Sequence, residues 1–83
     1  VNKKQSAKVV LQVLEGSVPL VSRRYGESDI ERGRRSLAQV DQAFAMLTNN
    51  DYWAGERRRW VADRLIPRLA LAPEHLDELA AAP

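Results

Sequence analysis

Apolar positions recur along this chain mainly at helical spacing. After Ser28 they fall at Ile30, Leu37 and Phe44, and in a second row at Val40 and Leu47, which Gly33 completes. Two rows that each repeat every seven residues form one seam on a helix. The start of that helix is marked by Ser28-Asp29-Ile30-Glu31, a capping box in which the Ser28 hydroxyl accepts from the Glu31 amide and the Glu31 carboxylate reaches back to the Ser28 amide. Asn49-Asn50 marks its end, so the pattern predicts a helix over 29–48. Gly33 costs up to about 1 kcal/mol relative to Ala inside a helix, and marks either a close helix approach or a tolerated weak spot.

Asn49 or Asn50 can cap a second helix with Asp51 in its first turn and apolar positions at Trp53, Trp60, Val61, Leu65 and Leu69. So short a link forces the two helices into an antiparallel hairpin. Pro67 lacks an amide and crowds the carbonyl four residues back, so this helix, over about 51–66, is expected to kink or end near Leu65. Pro73 then opens a short carboxy-terminal helix carrying Leu76, Leu79 and Ala80.

The amino-terminal third reads two ways. Val9 to Leu14 is rich in β-branched residues, and Glu15-Gly16-Ser17 could turn it into Val18 to Tyr25 as a β-hairpin. A helix over about 5–14, with Ala7, Val10, Leu11 and Leu14 on one face and Gly16 just past its end, fits as well. The helix is preferred because no further strand candidate exists to support an isolated hairpin. Ser17-Val18-Pro19 would then cap a short helical stretch that stops at Gly26. Together these elements predict an all-α domain over 1–83, a small helical bundle built on a hairpin of two long helices, with fraying at about 1–4 and 80–83.

Composition narrows the chemistry. The chain has 83 residues, no cysteine and one histidine, which excludes disulfides, thiolate metal sites and any site needing two imidazoles. No apolar run approaches the roughly 20 residues that span a bilayer, and no signal-peptide pattern is present, so the expected compartment is the cytoplasm. Glycines are scattered singly, the carboxylates at 27–31 are explained by helix capping, and no serine has an assigned base. An enzyme is therefore not expected, and neither a cofactor nor a metal is implied. A single core in so short a chain is close to the minimum that holds a fold. The seam of Ile30, Leu37, Val40, Phe44 and Leu47 is accordingly either the intramolecular core or half of a homodimer interface.

Thirteen basic against 11 acidic side chains leave a net charge of only +2, which does not demand nucleic acid as a partner. Abundant arginine, alanine and leucine fit a GC-rich bacterial genome. The residues with most to say about binding are Trp53, Arg57, Trp60 and Arg64, at i, i+4, i+7 and i+11 on one helical stripe, with Arg58 and Arg59 beside them. Aromatics and arginines dominate binding hot spots, so this stripe is a candidate protein-binding face. A more economical reading puts both indoles in the core against Phe44 and Leu47, with arginine stems along their edges. Consecutive arginines fan around a helix, so Arg57 to Arg59 cannot all face one ligand, and Arg58, Arg59, Arg32 and Arg35 are expected in solvent. His75 is expected as a surface imidazole.

These features point to a non-enzymatic helical interaction protein, a regulator or adaptor that binds a protein partner. The alternative is a nucleic-acid-associated protein touching phosphates through Lys3, Lys4, Lys8, Arg23, Arg24 and the arginine clusters. A helix-turn-helix is not favoured, since the helices flanking Asn49-Asn50 are too long for that motif.

Overall fold

A computed structural model of the chain describes residues 2–47 and 50–81, the side chain of Asn50 excepted. Helix α1 spans Lys3–Leu14, α2 Asp29–Leu47 and α3 Asn50–Trp60. The last continues through a π-helical turn, Val61–Leu65, into a single turn, α4, at Ile66–Arg68. A 3₁₀ turn at Pro73–His75 leads into α5, Leu76–Ala80. No strand occurs among the described residues, so the amino-terminal segment is the helix and not the hairpin. Expected fraying at Val1 and at 82–83, the helix end at Thr48 and the capping by Asn49 or the Asn50 side chain lie outside the described residues.

Helix α1 starts at Lys3 because Asn2 caps it. The Asn2 side chain accepts from the Gln5 amide at 2.8 Å, and the Gln5 side chain accepts from the Asn2 amide. Its inner face, Ser6, Val9, Val10 and Val13, packs along α2. Phe44 of α2 meets Trp53 of α3, and Asp41 meets Arg57, the pairing of antiparallel neighbours. Leu37, Val40 and Phe44 are buried within the chain, and Ile30 packs partly buried against the core. The middle of the seam is therefore intramolecular, which removes it as a dimer face, while Leu47 at its end is exposed.

Gly33 marks a close approach. A Cβ there would lie 2.7 Å from the Leu69 side chain and 3.1 Å from that of Leu79, so α2 lets the end of α4 and the underside of α5 reach its backbone. Of the two outcomes expected at Pro67, a kink or an end near Leu65, the end does not occur, and the helix runs on to Arg68. The turn ahead of it widens to the π form, with the Ile66 amide donating to the Val61 carbonyl five residues back. Such a widened turn is a recognised way for a helix to absorb a local misfit.

The segment after α1 is a strap and not the short helix that Ser17 was expected to cap. Gly16 turns the chain with φ +92°, and residues 17–24 then run without helix to a turn at Tyr25-Gly26. Side chains of α2 satisfy the strap's backbone. Ser36, fully buried, accepts from the Val21 amide at 3.1 Å; Arg32 donates to the Val21 carbonyl at 2.8 Å; Arg35 donates to the Ser22 carbonyl at 2.7 Å. Arg32 and Arg35, expected in solvent, thus pin the strap, because backbone that forms no helix needs partners elsewhere.

Arg35 also forks onto Glu27, with contacts of 2.5 and 2.7 Å. The Glu27 side chain is only 6% exposed. These hydrogen bonds, aided by the Arg24 amide, hold its carboxyl at about 2, well below its ordinary value. Folding thus depresses this pKa, so the stabilisation is complete above about 4.5, the ordinary value, and fades as pH falls toward 2. Unfolding free energy should rise with pH across that window, and Glu27→Gln should flatten the rise. Parallel pH profiles for parent and variant in urea titrations would show that the Glu27 pair contributes nothing to acid sensitivity.

Candidate functional site

Both indoles of the basic-aromatic stripe are core. Trp53 and Trp60 are buried, because α3 lays that stripe onto α2. Trp53 stacks on Phe44 with ring centroids 4.6 Å apart and planes at 9°, and meets Trp60 edge-on at 5.7 Å. Its indole N–H donates to Asp41 Oδ1 at 2.6 Å.

The three consecutive arginines have three different fates. Arg57 turns inward and grips Asp41 with two parallel hydrogen bonds of 2.9 Å, and its third arm donates to the Ala80 carbonyl at 2.6 Å. One guanidinium therefore joins α2, α3 and the end of α5. Arg58 is exposed and paired with Asp77 of α5. Arg59 is the freest, its side chain 74% exposed and held only by a 3.7 Å contact to Glu56 one turn back. Such exposed pairs contribute little to stability, which leaves Arg59 available at small cost. Arg64, from the π turn, lays its guanidinium over Gly16, where an added Cβ would collide with Nη1.

A cleft of about 250 Å³ opens between the end of α1 and the outer side of α3. Val13 and Leu14 form one wall, Tyr52, Trp53, Glu56, Arg59 and Trp60 the other, and Asp63 and Arg64 close the end. Two of its residues are exposed apolar groups, Leu14 at 55% and Tyr52 at 53%. Trp60 supplies the least expected feature, since its indole Nε1 is buried and has no hydrogen-bond partner. An enclosed N–H without an acceptor is unfavourable by about 1–3 kcal/mol, and so is retained only where something outweighs that penalty. The cleft combines the Trp60 ring with two guanidinium groups, two carboxylates and apolar walls.

Of the six residues of the sequence stripe, Trp60, Arg59 and Arg64 meet at this cleft and Trp53 forms part of its floor. Arg57 is taken up by Asp41, and Arg58 faces α5. Sequence reasoning missed Leu14 as an exposed wall and Asp41 as the partner of Arg57. The signal for Asp41 was present: it is a carboxylate one position beyond the seam residue Val40, on the helix that the arginine stripe packs against. His75, expected at the surface, is half-buried, with Nδ1 enclosed and without a partner. Among the described residues no group of three histidines, cysteines or carboxylates could hold a metal ion, and no helix is long and apolar enough to cross a membrane. Neither protein-family models, nor curated proteins, nor solved structures give a match to this chain.

Proposed function

We propose that the protein is a non-enzymatic interaction module, a regulator or adaptor, that binds a protein partner at the cleft between α1 and α3. The observation that carries this reading is the pair of exposed apolar groups, Leu14 and Tyr52, lining one cleft that the loosely held Arg59 rims. A partner side chain with an apolar body and a hydrogen-bond acceptor would cover both apolar walls and meet the Arg59 guanidinium at the rim. Tyrosine, tryptophan and arginine are also the residues that most often carry binding energy at protein interfaces. The phosphate-contact alternative draws less support, because Arg23, Arg34, Arg35, Arg57 and Arg58 are each paired with a carboxylate of the same chain.

The test is affinity capture from the source cells with the parent chain and with Tyr52→Ala and Arg59→Ala as baits. Both residues are exposed, so helix content by circular dichroism should be unchanged. Retention of a specific partner is expected to weaken roughly thirtyfold for each, the lower edge of the range for a hot-spot residue. Equal retention by all three baits would remove the cleft from the interface.

A further inference from the structure

The outward face of α1 has no cover among the described residues, and its residues form a pattern that closes on itself. Ser6, Val9, Val10 and Val13 point inward, which leaves Lys4, Ala7, Lys8, Leu11, Leu14 and Glu15 exposed. Leu11 is 55% exposed at the centre of this face. With 3.6 residues per turn, Lys8 and Glu15 fall along one edge and Ala7 and Leu14 along the other. On each edge, one member lies three residues from Leu11 and the other lies four residues away on the opposite side.

We propose that this face is the interface of a symmetric dimer, in which the α1 helices of two copies pack antiparallel about Leu11. A two-fold axis through that centre brings Lys8 onto Glu15 of the partner subunit, with an axial offset of a single residue, about 1.5 Å. On the other edge Ala7 meets Leu14 of the partner subunit with the same offset, and Leu11 packs on its own copy. Each contact occurs twice, as isologous symmetry requires. The charges also select the orientation, since a parallel pair would set the Lys8/Glu15 edge against the apolar Ala7/Leu14 edge and leave both charges without a partner. Among the described residues, neither Lys8 nor Glu15 has an ion-pair partner. The face is one helix long, roughly 18 Å, smaller than a standard interface, so the dimer is weak and forms as concentration rises. It shares only Leu14 with the partner-binding cleft, and stands independently of that reading.

Sedimentation velocity over a concentration series of the 83-residue chain tests the proposal. Leu11→Arg should abolish dimerisation with helix content preserved. Lys8→Glu and Glu15→Lys should each raise the dissociation constant roughly tenfold, because each reversal creates two like-charge contacts per dimer. The discriminating result comes from mixing these two single variants. An equimolar mixture restores opposite charges at both edge contacts and should dimerise about as well as the parent, and the double variant Lys8→Glu/Glu15→Lys should do so alone. Within one helix the two residues are seven apart and do not touch, so recovery requires contact between chains. A parent that stays monomeric throughout the series, a dimer indifferent to Leu11→Arg, or variants that fail to recover on mixing would each overturn the proposal.

Discussion

Asp41→Ala should lower the unfolding free energy by about 3 kcal/mol, among the largest effects available to any polar residue in this chain. Three hydrogen bonds converge on the Asp41 carboxylate, one from the Trp53 indole and two from the Arg57 guanidinium. Bonds to a charged group contribute about 1.5–3 kcal/mol each, but they are not additive. Truncation also leaves the Trp53 N–H and a largely shielded guanidinium without their acceptor. Arg57 is 19% exposed and Asp41 33% exposed, so water moderates the loss to the lower edge of the 3–5 kcal/mol seen when fully buried pairs are broken. Arg57→Lys should fall in between, since an ammonium cannot reproduce the parallel fork or reach the Ala80 carbonyl from the same position. Urea titration with an unchanged m-value is the appropriate readout. A loss under 1 kcal/mol would place this triad with ordinary surface ion pairs.

That triad shows how far local patterns reach. The start of helix α2 was readable because its information is local: the Ser28 hydroxyl accepts from the Glu31 amide at 3.2 Å, as the capping-box spacing implies, while the Glu31 carboxylate accepts from the Ser28 hydroxyl and not from its amide, and the seam residues Leu37, Val40 and Phe44 face the core. Pro73 likewise opens the last helical segment where its missing amide costs nothing. The strap over 17–28 was not readable, because its backbone partners are Ser36, Arg32 and Arg35, 11 to 15 residues downstream. A helical wheel places those three side chains on α2 but contains nothing about what crosses it. The same blindness affected the candidate site. The wheel correctly set Arg57 and both indoles on one stripe, and the buried indoles follow from it. It could not separate Arg57, which has a carboxylate waiting on α2, from Arg59, which has only Glu56 on its own helix. Nor does periodicity alone distinguish Leu14, which borders an open cleft, from Val13, which is covered.

The aromatic stack running from Phe44 to Tyr52 and Trp53 offers the sharpest separation of core from surface. Phe44 is 1% exposed and stacked on Trp53 at 4.6 Å, whereas Tyr52 lies 6.3 Å from Phe44 and is 53% exposed. Phe44→Ala should therefore remove about 3–5 kcal/mol, the sum of lost burial and the cavity left behind. A domain of this length has a total stability of roughly 4–12 kcal/mol, so the variant should be partly unfolded at room temperature and show a broadened or absent thermal transition. Tyr52→Ala loses only the longer stacked contact at 6.3 Å and should change stability by less than about 1 kcal/mol. The contrast bears directly on function, because it makes Tyr52 a residue that can be probed for partner binding without disturbing the fold. If Tyr52→Ala proved as damaging as Phe44→Ala, the ring would be core rather than part of an accessible wall, and the cleft would lose one of its two exposed apolar groups.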